Sequence, residues 1–255
     1  MKKKLWAGLA TGLVLLGMAG MVEASLTTIG LATYNSNNYN LIWDNNNNGN
    51  SVVWLDYSNT PANWYNQKAW ASGLNTVGVL NYTVNTGYSV DFGSNAWRLP
   101  TTVDGAYQYG YDGTTTVGYN ITNSEMGHLF YTELGNQGYS NTDGTTNSYS
   151  APQYFLTSVG DFDHLEASWY WSATAWAADP DHLWYFSMYN GIQGYRDVSD
   201  VSYALAVRSG QVTYSDPNAG GGATPTPVPT TVLLLGTGLA GLAGGRLKKR
   251  GRRAA

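Results

Sequence analysis

The sequence predicts an α+β fold: a single domain of short antiparallel strands with two helices, flanked by a signal peptide and a C-terminal transmembrane segment. Three observations carry this. Runs rich in Val, Thr and aromatic residues alternate with Asn- and Gly-rich turns. Two stretches show helical spacing behind a capping signal. Each end of the chain places an apolar run beside clustered Lys or Arg.

At the N-terminus, Lys2, Lys3 and Lys4 precede an apolar stretch over 5–21 and a small-residue exit at Ala24. Cleavage between Ala24 and Ser25 is the expectation, with an uncleaved anchor as the alternative. At the other end, residues 231–245 carry no charge, and six of the eight residues 246–253 are Lys or Arg. That pattern is a membrane stop with a cytoplasmic basic end. Gly241 and Gly245 give it a face for close packing against another helix. The expected organisation is a signal peptide (1–24), an exported domain (25–219), a Gly/Thr/Pro linker (220–229) and the membrane segment (230–255).

Stripping the ends changes the charge. The chain's formal net charge is −4, but only Lys68, Arg98, Arg196 and Arg208 remain between Ser25 and Gly222, against sixteen Asp and Glu. A surface so poor in cations excludes nucleic acid as a partner and favours cations or neutral glycans. There is no cysteine, so thiol catalysis, redox chemistry and thiolate metal sites are excluded, and burial alone must stabilise the domain.

Along the domain, the apolar runs 41–43 and 52–55 flank the polar stretch 44–50 and predict a hairpin. Asp44, Asn46, Asn48 and Gly49 match half of a calcium loop, but Leu55 stands where its bidentate Glu belongs, which leaves a plain turn. Thr60 as N-cap and Pro61 at the first helical position predict the first helix, with Trp64, Lys68, Ala71 and Leu74 at helical spacing and Tyr65, Ala69 and Trp70 beside them. Residues 82–92 alternate like one strand. Arg98 next to Trp97 suits a guanidinium stacked on an indole, and 104–120 has the composition of an exposed loop.

Thr122 and Glu125 have capping-box spacing ahead of a second helix with Met126, Leu129, Phe130 and Leu134 on one face and Gly135 at its end. His128, alone on that helix, suits a partly buried packing role better than a ligand role. Strands are then predicted at 154–156, 169–174, 183–188 and 203–208, with a turn at Asn190 and Gly191.

Trp97, Arg98, Leu99 and Pro100, the helix with Glu125, the run Tyr170, Trp171, Ser172, Ala173 and Thr174, and the closing Ala206, Val207 and Arg208 together resemble the Lcl C-terminal-domain-like family. The resemblance extends over about residues 41–208 and implies a C-type-lectin-like fold, related to that of formylglycine-generating enzymes. The cysteine-dependent oxidase chemistry of the latter is not implied, since this chain has no cysteine. Residues 233–244 with the basic end resemble a PEP-CTERM sorting signal. That implies a Gram-negative exopolysaccharide producer, with the export machinery and an exosortase-type enzyme as partners. Val228, Pro229 and Thr230 stand where the signal's Pro-Glu-Pro would be.

The chain offers His128, His164 and His182 but no nucleophile-elbow motif, so no catalytic residue is assigned. Two acidic clusters remain: Asp161, Asp163, His164 and Glu166, and Asp179, Asp181 and His182. Paired carboxylates serve glycosidases or hold calcium, and they also occur as solvated loop charge. Trp169, Trp171, Trp176 and Trp184 crowd the same segment, as sugar platforms or as core. Trp176, Asp179, Asp181 and Trp184 are the candidate ligand site, with Asp179 and Asp181 the candidate calcium ligands. The expected function is non-enzymatic: a binding or structural module of the cell envelope or extracellular matrix associated with exopolysaccharide. A glycan hydrolase using Asp163 and Glu166 and a purely structural matrix protein are the alternatives.

Overall fold

β-Branched and aromatic residues recur with period two along this chain and Asn-Gly pairs reverse it, so strands dominate. The computed structural model describes residues 25–148 and 154–217. The expected signal peptide (1–24), linker (220–229) and membrane segment (230–255), with the expected processing positions Ala24, Val228, Pro229 and Thr230, lie outside the described residues. No helix among the described residues is long and apolar enough to cross a membrane.

Strands β1 (Leu26–Tyr34), β2 (Asn37–Asn47) and β3 (Asn50–Ala62) form an antiparallel meander. The β2–β3 reversal needs only Asn48 and Gly49, at φ of 51° and 83°, the left-handed pair that a two-residue hairpin requires. The polar stretch 44–50 is therefore mostly strand, and Asp44 is buried rather than solvated.

Helix α1 (Trp64–Gly73) starts later than Thr60 and Pro61 suggest, because β3 continues through both and Asn63 is the N-cap, its Oδ1 accepting from Asn66 N (3.0 Å). Trp64, Ala71 and Leu74 are buried, as the spacing predicts. Gln67 is buried too, donating to the carbonyls of Thr60 (2.7 Å) and Ser202 (2.8 Å). Lys68 stays outside, its ammonium 4.6 Å from the Trp64 ring centre.

The single strand expected over 82–92 is two, β4 (Leu80–Val84) against β1 and β5 (Tyr88–Asp91) against β12 (Gln211–Tyr214), broken where Gly87 takes φ 92°. Helix α2 (Glu125–His128) is capped by Ser124, not Thr122: Ser124 Oγ accepts from Gly127 N (3.0 Å). It passes into a π-helical turn, Leu129–Glu133, with Met126, Leu129, Phe130 and Leu134 buried as expected.

The remaining strands are β6 (Tyr109–Gly110), β7 (Val117–Gly118), β8 (Trp169–Ala175), β9 (His182–Ser187), β10 (Gln193–Asp197) and β11 (Ser202–Ser209). A ten-stranded sheet runs β4-β1-β2-β3-β11-β8-β9-β10-β7-β6. The expected loop over 104–120 thus supplies its far edge. Residues 154–156 form no strand, yet Phe155 and Leu156 are buried in the core. The molecule is mostly β-sheet with two short helices. One core fills the space between the sheet and α2, around Trp54, Phe130, Tyr170 and Phe186. A second gathers on β1–β3 around Leu41, Val53 and Trp97, and a third lies under α1 around Trp171 and Leu183.

Candidate functional site

The motif residues behind the family resemblance meet in one place, and their work there is structural. Arg98 exchanges backbone hydrogen bonds with Val207 of β11 (3.0 and 2.9 Å), while the Pro100 carbonyl accepts from Ala173 N (2.7 Å) and Ser172 Oγ (3.0 Å) of β8. Thr174 Oγ1 donates to Thr102 O (3.0 Å). The loop over 97–102 therefore wedges between β11 and β8. Trp97, Leu99, Tyr170 and Trp171 are buried around it, and Arg208 donates from Nε to Asn95 O (2.8 Å) with its guanidinium 4.1 Å from the Phe92 ring centre.

Arg98 does not stack on Trp97. Its guanidinium grips Glu125 with two bonds of 2.7 Å, and Glu125 Oε2 also accepts from Thr101 N (2.6 Å). The Glu125 carboxylate expected to close a capping box thus has a stronger, charge-assisted partner. Burial alone would lower the Arg98 pKa; the hydrogen bonds and charge of Glu125 outweigh it and hold the pKa above its ordinary value.

Trp176, Asp179, Asp181 and Trp184 do not open on one concavity. Trp184 is wholly buried, its Nε1 donating to Asp104 Oδ1 (2.8 Å), so its ring has no face open to a ligand. Trp176 is half-buried, lies flat on Tyr195 at 4.0 Å and 11°, and donates from Nε1 to Gly105 O (3.1 Å). Asp179 Oδ2 accepts from His182 Nδ1 (2.9 Å) and its Oδ1 from Asp181 N (3.2 Å), closing the turn between β8 and β9. A calcium ion takes six to eight oxygens. These two carboxylates, one already engaged on both oxygens, do not make such a site, and no group of three or more acidic or His side chains among the described residues is placed to hold a metal.

The other acidic cluster is tied down as well. Asp56, on β3 and fully buried, accepts from the backbone amides of Asp163 (3.0 Å) and His164 (2.9 Å) and from His164 Nδ1 (3.1 Å). Burial raises its pKa, while those bonds pull the other way. Asp161 Oδ2 accepts from Thr28 N (2.7 Å) and Oγ1 (2.8 Å), and Asp163 Oδ2 from Asn40 Nδ2 (3.1 Å). Glu166 is positioned through its amide, which donates to the Tyr170 hydroxyl (2.8 Å). His128, buried as expected, meets a carboxylate all the same: the π-turn brings Glu133 round so that His128 Nε2 donates to its Oε1 (3.1 Å).

Sequence reasoning missed the open aromatic surface. Tyr109, Tyr111, Tyr139 and Trp169 are each about two-fifths exposed, yet the first two fall in 104–120, which reads as an exposed loop. The signal that would have found them is their spacing: Tyr109 and Tyr111 are two apart, as on one face of a strand. Comparison of the chain with family models, with curated proteins and with solved structures gives no match.

Proposed function

We propose that this is an exported, non-enzymatic module of the cell envelope or extracellular matrix that associates with exopolysaccharide, built on a C-type-lectin-like fold. Its segment 230–255 would anchor it in the membrane until an exosortase-type enzyme processes it. The observation that carries the reading is the chemistry of the exposed surface. Its large exposed side chains are mostly tyrosines, with Trp169, while only four cations are spread over the whole exported domain. Such rings stack on the apolar faces of sugars while their hydroxyls exchange hydrogen bonds with them. Of the two carboxylates a hydrolase would use, Asp163 accepts from Asn40 of β2, and its loop is held to β3 by Asp56.

The test is calorimetric titration of the purified full-length chain with the producing strain's exopolysaccharide, with calcium and with chelator. Heat of binding and a raised melting temperature are expected in both conditions. Absence of both signals rejects the association. Release of reducing ends, abolished by Asp163→Asn, establishes the hydrolase instead.

A further inference from the structure

We propose that the outer face of β8, β9, β10, β7 and β6 is a platform for an uncharged polysaccharide chain lying across the strands. This rests on the exopolysaccharide reading and adds the surface and the ligand's chemistry.

Strand register puts the rings on one face. Trp171 pairs with Tyr185, and Tyr185 pairs with Gly194, so these three share a side, together with Trp169 two residues from Trp171. Gln193 pairs with Gly118 on the opposite side, which leaves Tyr119 facing with Gly194. Tyr109 pairs with Val117, which brings Tyr109 to the same face, and Tyr111, just past the strand, joins it through ring contacts with Tyr109 and Tyr119. At the inner end α1 covers Trp171; further out the rings are open, with Trp169 43%, Tyr109 44% and Tyr111 39% exposed, and Tyr139, which also packs on Phe155 of the main core, borders them through Tyr119.

The rings touch within two groups. Trp169 and Tyr185 lie 5.9 Å apart, Tyr109 and Tyr111 5.3 Å, Tyr111 and Tyr119 6.2 Å and nearly parallel at 7°, and Tyr119 and Tyr139 6.1 Å. Gly194 makes the joint between the two groups. With no side chain there, the tip of Tyr185 lies across β10, where a Cβ would stand 3.1 Å from the ring. Burial pushes the Tyr119 hydroxyl up to about 12, and Tyr109 and Tyr185 act in the same direction. Four interstrand spacings make the face about 19 Å wide, room for several sugar rings.

Charge selects the ligand. The cation on this face is Arg196, which sits 4.5 Å over Trp169 and is already paired with Asp200 (2.9 Å). In an acidic domain it offers a polyanion little. The exposed aliphatic side chains, Leu31, Val77, Val79, Val103 and Val201, all lie on other segments. What this face presents is rings bearing hydroxyls, the complement of a neutral sugar chain rather than of a greasy protein surface.

Affinity electrophoresis of the full-length chain through gels containing dextran, laminarin or hydroxyethylcellulose, with alginate as the polyanionic comparison, tests this. Retardation by at least one neutral glycan is expected. Tyr109→Ala/Tyr111→Ala should weaken it about tenfold, while Tyr65→Ala and Tyr214→Ala leave it unchanged. Trp169 emission, taken as the difference from Trp169→Phe, should shift on saturation and needs no tyrosine variant to fold. Retention by a neutral glycan with no effect of the double variant and no Trp169 shift overturns the platform but leaves the exopolysaccharide reading standing. Retention by alginate alone overturns the neutral ligand. No retention by any glycan, or by the strain's own exopolysaccharide, removes both. A wild-type dimer in sedimentation that the double variant dissociates, without any glycan effect, makes the face a self-association surface and overturns the proposal.

Discussion

Asp44 shows how a buried carboxyl contributes to the pH response of this fold. Burial among β2, β3 and the α2 segment pushes its pKa up from 3.8 to about 6, against hydrogen bonds donated by Asn47 Nδ2 (2.8 Å) and Trp54 Nε1 (3.2 Å). The folded value lies above the unfolded one, so the folded state binds the proton more tightly. Its contribution is fully present below about pH 4 and is lost as pH rises through 6, about 3 kcal/mol in all. Asp56 acts with the same sign. Asp44→Asn removes the proton exchange. Urea unfolding of both proteins from pH 3 to 7 should show wild type losing about 3 kcal/mol relative to the variant; parallel curves would refute it. None of this was legible in the sequence, where Asp44 heads a run of asparagines. Its burial depends on Trp54 ten residues on and on the packing of α2. The Arg98–Glu125 pair was hidden similarly, since a guanidinium's partner 27 residues away leaves no local pattern.

Elements were legible where local chemistry decides them. The β2–β3 hairpin follows from Asn48 and Gly49, and strands β8 and β9 from their runs of Trp, Tyr and Phe. Boundaries failed where two signals competed: Thr60 and Pro61 carry a helix-start signal, yet β3 keeps them because Gln67 Nε2 donates to Thr60 O and β11 pairs Ser202 with Ala62. The two-residue strands β6 and β7 exist only through their neighbours. Gly118, at φ 123°, packs so closely that a Cβ would collide with the Gly110 carbonyl. At the hairpin, Gly49 has open space where a Cβ would go but φ 83°. Gly49→Ala should therefore cost about 1–2 kcal/mol through backbone strain alone, without moving a core residue. Denaturant midpoint and near-UV dichroism check this; a lost near-UV signal would mean that packing, not strain, is at stake.

At the scale of the whole molecule, the seam in the sheet is the place to ask whether it behaves as one unit. β11 and β8 run parallel and pair through Tyr203 and Tyr170. The wedge over 97–102 bonds to both, and Glu125 holds that wedge through Arg98 and Thr101. The main core ignores the seam: Ile42, Val52 and Trp54 come from one side, Tyr170, Phe186 and Met188 from the other, and Leu205 and Val207 lie between. Neither half can open without exposing side chains that the other buries, at about 1.5–3 kcal/mol for each large one. Unfolding should therefore be a single transition. Glu125→Gln, which trades a charge-assisted grip for a neutral one, should lower stability by about 2 kcal/mol and shift that transition whole. Tryptophan fluorescence reports both sides of the seam through Trp54 and Trp184, and far-UV dichroism reports the sheet. The two curves should coincide for wild type and variant alike. A variant whose curves separate would show that the wedge, and not the shared core, binds the halves together.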